Sequence, residues 1–128
     1  ANRSIKINNA AHRFFSSAIV GGCLSIAVGV AMGIKIREGW RQPRDEAVWV
    51  FVGDMAAETG IFHEGVKYAQ GHDLPITFVV EDNDFSVQTP TREVWGIASP
   101  IRAAQYKVER YHYERIYPHQ GCGTWVHF

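Results

Sequence analysis

Two short apolar runs separated by a helical pattern dominate the middle of the chain. Ala47 to Val52 (AVWVFV) and Pro75 to Val80 (PITFVV) are continuous apolar segments, typical of parallel strands buried on both faces. Between them, residues 58–71 place apolar side chains near helical spacing, and Gly71-His72-Asp73 ends the helix. A strand, a helix and a strand with short connections form a βαβ unit. The pattern therefore predicts an α/β fold with a parallel sheet.

A longer apolar stretch precedes this unit. Ala18 to Ile34 (AIVGGCLSIAVGVAMGI) contains seventeen residues without a charge. A membrane-spanning helix needs about 20 apolar residues, and this stretch includes four glycines and a serine. We therefore predict a helix over residues 20–38 that is buried on all sides, and no membrane partner. Gly29 and Gly33 are expected to mark a face that another helix or strand approaches closely.

The remaining segments give weaker patterns. Residues 1–17 are polar with scattered aromatics and are predicted to be an irregular lead-in, and residues 41–46 a charged connection. A short helix over 93–104, a strand over 106–114 and an edge strand over 121–128 complete the prediction. Together these elements predict a single domain over residues 1–128, with helices on both faces of a parallel sheet in three layers.

Composition narrows the function classes. Thirteen basic and thirteen acidic residues cancel, and no basic run stands out, so neither nucleic acid nor an anionic membrane surface is an expected partner. The two cysteines, Cys23 and Cys122, are not in a CxxC pair and cannot form a disulfide framework. No cleavable signal is apparent, and we expect a cytoplasmic protein.

Both predicted strands end in clusters of acidic and amide side chains. Gly53-Asp54 follows the first strand, and Glu81-Asp82-Asn83 follows the second. Because the carboxyl ends of parallel strands lie at one edge of a sheet, Asp54 and Asn83 should be neighbours. A carboxylate and an amide oxygen suit Mg²⁺, and a helix beginning after Met55-Ala56 would favour a phosphate. The residues alone predict a magnesium-phosphate site.

The segment GDMAAETGIFHEGVKYAQGHDLPITFVVEDNDFSVQTPT resembles the thiamine diphosphate motif, which opens with Gly-Asp-Gly and closes with Asn-Asn about thirty residues later. It is most similar to the version found in alpha subunits of the first component of 2-oxo acid dehydrogenase complexes. Upstream, SSAIVGGCLSIAVGVAMGIKIREG resembles the same family's Ile-Val-Gly segment and small-residue helix. The resemblance covers about residues 15–91. It implies a truncated form of the thiamine diphosphate-binding fold, within the transketolase-like superfamily.

The resemblance also assigns site residues by position. Asp54 and Asn83 would bind Mg²⁺ through their side chains, and Phe85 through its backbone carbonyl. Met55 and Ala56 would contact the diphosphate through backbone N–H groups. The cofactors implied are thiamine diphosphate and Mg²⁺, and no residue of this chain is identified as catalytic.

Three further positions complete the predicted cofactor site. Gly53 opens the motif, and Ala18 and Val20 fall where the family's backbone meets the aminopyrimidine ring. Two motif positions depart from the family. Met55 replaces the second glycine and would crowd the phosphates if the turn required a positive φ, and Asp82 replaces the first asparagine and adds a negative charge.

The family's mechanism requires more than this chain offers. The glutamate that acts on the aminopyrimidine lies on a separate pyrimidine-binding domain, for which 128 residues leave no room. The chain also starts too late for the family's Tyr-Arg diphosphate contacts, and it lacks a clear counterpart of the downstream histidine loop. We therefore expect a subunit or short form that anchors the Mg-diphosphate and oligomerises with a beta-type, pyrimidine-binding partner. The expected reaction is 2-oxo acid decarboxylation and dehydrogenation or ketol transfer, on a 2-oxo acid or a ketose.

Other interpretations stay open at this point. The chain could be a non-catalytic cofactor-binding and oligomerisation module, or a magnesium-phosphate enzyme unrelated to thiamine. Asp54 could simply cap the following helix, and Asn83 could be only a turn residue. His63-Glu64 begins like a zinc-protease motif, but Lys67 stands where the second histidine is required.

Overall fold

A computed structural model describes residues 6–40, 45–96, 107–117 and 119 of the chain. The elements, in chain order, are β1 (Asn8–Asn9), β2 (Phe14–Phe15), α1 (Gly22–Arg37), β3 (Val48–Gly53), α2 (Asp54–Ala57), α3 (Gly60–Gly71), β4 (Ile76–Asp82), β5 (Phe85–Ser86), β6 (Thr89–Pro90), α4 (Thr91–Trp95) and β7 (Val108–His112). Three of the strands form the sheet that carries the candidate site.

The predicted βαβ unit is confirmed. Strands β3 and β4 are parallel, in a register that runs from Val48 beside Ile76 to Gly53 beside Glu81. Strand β7 pairs with the other edge of β4, also in parallel, with Asp82 beside His112. The sheet order among the described strands is therefore β3-β4-β7. This order places the carboxyl ends of all three strands along one edge, as the sequence predicted for the first two.

One hydrophobic core holds α1 and α3 against the sheet. Apolar side chains at alternate positions of β3 and β4 point into it, and Phe78 and Val80 are fully buried. Helices α1 and α3 touch each other across this face: a Cβ at Gly65 would lie 3.6 Å from the Val28 side chain. The cluster consists of Leu24, Ala27, Val28, Ala31, Val50, Val52, Ala56, Ala57, Phe62, Val66, Ala69, Leu74, Ile76, Phe78 and Val80.

The opposite face of the sheet differs from the prediction. Strand β3 was predicted to be buried on both faces, but Trp49 is 62% exposed and Phe51 is 58% exposed. Helices α1, α2 and α3 all contribute to the core on the other face, and the expected second helical layer is not found among the residues that the structure describes. Apolar runs mark strands correctly, but they do not show which face another element covers.

Helix α1 is also less buried than predicted. Leu24 and Ala31 are fully buried, whereas Ile26 and Val30 are about half exposed. A Cβ added at Gly29 or Gly33 would meet nothing within 4 Å, so the expected close approach does not occur within the described residues. The helix packs on one side only, because the sheet and α3 occupy only one side. None of the described helices is long and apolar enough to span a bilayer.

The flanking segments contain more structure than expected. The predicted irregular lead-in includes the hairpin of β1 and β2. Helix α4 ends at Trp95, where Gly96 adopts a φ of 66° that favours glycine, and so it begins and ends earlier than the 93–104 prediction. Strand β7 confirms the predicted strand over 106–114 in part. The predicted edge strand over 121–128 and Cys122 lie outside the described residues.

Candidate functional site

The end of β3 turns directly into a short helix. Gly53 is extended, and Asp54 is the first residue of α2. Met55 lies inside α2 with a negative φ, so the turn does not require the glycine that the family motif has here. The predicted helix over residues 58–71 begins at Gly60 as α3, and α2 contains only four residues. The macrodipole expected from a long helix at this point is therefore smaller than predicted.

Asp54 is the most distinctive polar residue in the described chain. Its side chain is buried, with 5% of the residue exposed. The carboxylate oxygen Oδ2 has no hydrogen-bond partner among the described residues. Gly53, not Asp54, occupies the N-cap position of α2, so the helix-cap interpretation is not supported. A buried carboxylate oxygen without a partner carries a substantial desolvation cost.

The surroundings of Asp54 favour its neutral form. Burial raises the pKa of the Asp54 carboxyl above its usual value, and the negative charges of Asp82 and Asp84 raise this pKa further. The Met55 backbone N–H and the Arg110 guanidinium act in the opposite direction. Desolvation is the largest cause, so a bound cation would restore the charged form by compensating for lost water.

Both polar atoms of the Asn83 amide have hydrogen-bond partners, unlike the Asp54 oxygen Oδ2. The Asn83 Oδ1 accepts a hydrogen bond from the Phe85 backbone N–H at 3.0 Å, which forms an Asx turn. Its Nδ2 donates to the Tyr113 hydroxyl oxygen at 2.7 Å. The turn interpretation of Asn83 is therefore correct. It does not exclude a metal ligand, because an amide oxygen has a second lone pair.

The loop after Asn83 continues into the hairpin of β5 and β6. In this hairpin Phe85 pairs with Pro90, which has no N–H to donate to the Phe85 carbonyl. The Arg115 guanidinium lies 3.8 Å from the centre of the Phe85 ring and also donates to the Val87 carbonyl. The loop is thus held from outside by the segment that follows β7.

A cavity of about 330 Å³ lies at this edge of the sheet. Six of the eight predicted cofactor-binding residues line it: Val20, Gly53, Asp54, Met55, Ala56 and Phe85. Ala18 and Asn83 do not line it, and Ala18 is exposed. The other lining residues, which the sequence did not single out, are Ser17, Ile19, Gly21, Cys23, Leu24, Phe51, Val52, Ser86 and Val87.

The aspartate that replaces the family's first asparagine has its own counter-charge. Asp82 Oδ2 accepts from Arg110 Nη1 at 3.0 Å, and Arg110 Nη2 lies 3.4 Å from Glu58. Asp82, Asp84 and His112 bring possible ligand atoms within 4.8 Å of one another. Because Asp82 is already paired with Arg110, this cluster is a poorer cation site than the unpartnered Asp54 oxygen.

The arrangement fits a Mg-diphosphate group. Asp54 offers a buried oxygen without a partner, and the Asn83 and Phe85 oxygens lie on the loop that borders the cavity. Mg²⁺ accepts a few protein oxygens and completes its octahedron with phosphate oxygens and water. The Asp54 carboxylate, the Asn83 amide and the Phe85 carbonyl offer oxygen donors of the type that Mg²⁺ accepts.

Sequence reasoning missed the side chains that support the site. Tyr113, Arg110 and Arg115 follow or belong to β7 and contact the end of β4 and its loop, and His119 contacts Tyr113. The predicted strand over 106–114 was a usable signal. Its neighbour in the sheet was not predicted, and without that pairing Tyr113 could not be placed beside Asn83.

Comparison with known proteins decides the family. The family model described as "Dehydrogenase E1 component" matches residues 1–108. The chain belongs to this family. The resemblance drawn from the two sequence segments is thereby confirmed.

Two named relatives agree with this family assignment. The alpha subunit of acetoin:2,6-dichlorophenolindophenol oxidoreductase from Bacillus subtilis is 37% identical over 75 residues, which are 59% of this chain and 21% of that protein. The alpha subunit of the pyruvate dehydrogenase E1 component from Acholeplasma laidlawii is 31% identical over 78 residues, 61% of this chain and 21% of that protein. The matched part spans about a fifth of these curated relatives.

Proposed function

We propose that this chain forms the diphosphate- and magnesium-binding part of a thiamine diphosphate-dependent E1 alpha-type enzyme that acts on a 2-oxo acid. Membership of the E1 family supports the cofactor class, and the named relatives include an alpha subunit of pyruvate dehydrogenase. The buried, unpartnered Oδ2 of Asp54 at the cavity is the single observation that carries the proposal. A cation bound there would offset the cost of burying that charge.

The roles follow from the chemistry of each group. Asp54 and Asn83 bind Mg²⁺ through side-chain oxygens, and Phe85 through its carbonyl. The backbone N–H groups of Met55 and Ala56, early in a helix, lack intrahelical acceptors and contact the diphosphate. Gly53, Ala18 and Val20 approach the cofactor through the backbone. When bound, thiamine diphosphate supplies the carbon nucleophile that attacks the 2-oxo acid.

A beta-type partner completes the proposed site. The chain's own residues hold the diphosphate end, and the pyrimidine end requires the glutamate of a pyrimidine-binding subunit or domain. The exposed side of α1, with Val30 and the open positions at Gly29 and Gly33, is the proposed contact surface. Small residues allow backbones to approach closely, and an apolar surface of this kind favours association.

Thermal unfolding with and without cofactor tests the proposal. A ligand that binds only the native state stabilises it by about 2.7 kcal/mol at a concentration a hundredfold above Kd. We expect Mg²⁺ with thiamine diphosphate to raise the melting temperature by several degrees. Thiamine monophosphate with Mg²⁺ is the matched control, and it should shift the midpoint much less because it lacks the second phosphate.

The outcomes separate the candidate functions. No shift with the diphosphate, in the presence of a candidate beta-type partner, would contradict cofactor binding. A shift accompanied by partner-dependent 2-oxo acid decarboxylation supports the enzyme. A shift without turnover under any partner condition supports the non-catalytic binding module instead.

A further inference from the structure

Tyr113 lies beside Asn83 because of the pairing of β7 with β4. The Tyr113 backbone N–H donates to the Asp82 carbonyl at 2.9 Å, one residue beyond the last paired position, His112. This bond brings the Tyr113 side chain to the first residue after β4, although the two residues are 30 positions apart in the chain. The contact is therefore a product of sheet order.

The hydrogen bonds at Asn83 define which way its amide points. A backbone N–H can only donate, so the Asn83 atom that faces the Phe85 N–H at 3.0 Å must be the oxygen. The amide nitrogen then faces Tyr113 and donates to its hydroxyl oxygen. The orientation is thus set by chemistry at both ends of the amide.

The Tyr113 hydroxyl also contacts a third side chain, His119. The Tyr113 oxygen accepts from Asn83, which leaves its own proton free for His119 Nε2 at 3.0 Å. The Tyr113 hydroxyl and His119 Nε2 therefore share a hydrogen bond, whose direction is set by the His119 tautomer. The three side chains form a hydrogen-bonded chain from Asn83 through Tyr113 to His119.

Arg115 contacts the loop that follows β4 at a second point. Arg115, two residues beyond Tyr113, lies against the Phe85 ring and donates to the Val87 carbonyl. The segment that follows β7 thus contacts the loop at Asn83, Phe85 and Val87. These are the two loop residues proposed as metal ligands and a neighbour that lines the cavity.

We propose that Tyr113, with His119 behind it, is a positioning residue that holds the Asn83 amide in the orientation required for its oxygen to bind Mg²⁺. The inference rests on the proposed function, since it assigns a role at the same metal. Without the Tyr113 hydroxyl, only the Phe85 N–H fixes the Asn83 amide, so the orientation of its oxygen is less restricted. Outer partners of metal ligands typically contribute about 10- to 100-fold to metal affinity.

The test measures the Kd of Mg²⁺ at saturating thiamine diphosphate by calorimetry, in the full chain. We expect Tyr113→Phe to raise this Kd about tenfold, with little change in the melting temperature of the cofactor-free chain. Tyr111→Phe is the matched control. Tyr111 lies on β7, two residues before Tyr113, and its hydroxyl donates to Glu81 at 2.7 Å rather than to Asn83. The Tyr111→Phe variant should leave the Kd unchanged.

A double variant tests the chain itself. His119→Leu should raise the Kd by a smaller factor in the wild-type background. It should add nothing in the Tyr113→Phe background, because the link between them is already gone. Independent effects on Kd that multiply in the double variant would overturn the coupling of His119 to Asn83 through Tyr113.

Failure of the inference can be told apart from failure of the proposed function. If the wild-type chain binds no Mg²⁺ with thiamine diphosphate in the presence of the candidate beta-type partner, the proposed function is wrong and the positioning role is wrong with it. If the wild type binds Mg²⁺ and Tyr113→Phe binds it equally well, only the inference is wrong. A rise in Kd that Tyr111→Phe matches would also overturn it, since the effect would then not be specific to the hydroxyl bonded to Asn83.

Discussion

The ends of β3 and β4 lie at one edge of the sheet, but the polar side chains that follow them differ in their hydrogen bonding. At the end of β3, Asp54 is buried with an oxygen that lacks a partner among the described residues. At the end of β4, Asn83 is bonded at both its oxygen and its nitrogen. Asp54, at the end of β3, supplies a negative charge. Asn83, at the end of β4, supplies an oxygen whose orientation is fixed by hydrogen bonds.

This difference indicates how such a site combines affinity for a cation with stability of the cofactor-free chain. An unpartnered buried carboxylate costs stability in the cofactor-free chain and favours a cation strongly. A bonded amide contributes to folding and presents its oxygen without further ordering on binding. We therefore expect variants at the two strand ends to change the apo protein in opposite directions.

Asp54→Asn gives the largest expected effect. It should abolish the stabilisation by Mg²⁺ and thiamine diphosphate, about 2.7 kcal/mol at a hundredfold excess over Kd. It should also raise the melting temperature of the cofactor-free chain, because a neutral amide costs less to bury than a carboxylate. Both are measured by thermal unfolding. Glu64→Gln, which removes the same charge from an exposed position on α3, should do neither.

Asn83→Leu should act oppositely on the apo protein. Removal of the amide breaks its hydrogen bonds with the Phe85 N–H and the Tyr113 hydroxyl, at a cost of roughly 1 kcal/mol. We expect a lower melting temperature without cofactor and a reduced shift with it. The exposed Gln88→Leu serves as the control. An apo chain stabilised by Asn83→Leu would contradict the contrast between the two strand ends.

The pH dependence of stability sharpens the same contrast. Burial raises the pKa of folded Asp54 above its ordinary value of 3.8, so between the two values the native state binds more protons than the unfolded state. The Asp54 contribution to stability should therefore fall as pH rises through that window. The cost is fully present above the folded pKa. Bound Mg²⁺ should reverse the sign, since it favours the charged carboxylate.

Denaturant unfolding of the wild type and Asp54→Asn across that pH range measures this contribution. We expect the stability advantage of the apo variant to be smallest at low pH and to grow toward neutral pH. If the difference in the free energy of unfolding stayed constant with pH, the pKa of Asp54 would be the same in the folded and unfolded states, contrary to the expected effect of its burial.

Asp82→Asn gives the smallest expected effect. It removes a charge that raises the Asp54 pKa, but it also breaks the 3.0 Å ion pair with Arg110. Partly exposed pairs are worth about 0–1 kcal/mol, so the apo stability should change little. Thiamine diphosphate should bind more tightly, because one negative charge near the diphosphate is gone. Calorimetry measures the change in the Kd of thiamine diphosphate. Glu109→Gln is the control, because Glu109 and Arg110 are adjacent on β7 and their side chains point to opposite faces.

Local patterns were sufficient for much of the fold. The apolar runs at Ala47–Val52 and Pro75–Val80 predicted β3 and β4, and helical spacing predicted α3, because these signals lie within a few neighbouring residues. They did not reveal the exposure of Trp49 and Phe51. Exposure depends on which element packs on each face, and that information is distant in the sequence.

The chemistry of the strand ends followed from the sequence itself. A βαβ unit brings the carboxyl ends of its strands together whatever the rest of the chain does, so Asp54 and Asn83 could be assigned to one edge of the sheet. Tertiary structure alone decided that the Asp54 carboxylate is desolvated, and that β7 places Tyr113 beside Asn83. Both depend on which distant segments pack at that edge, because burial and sheet order arise from contacts between residues far apart in the chain.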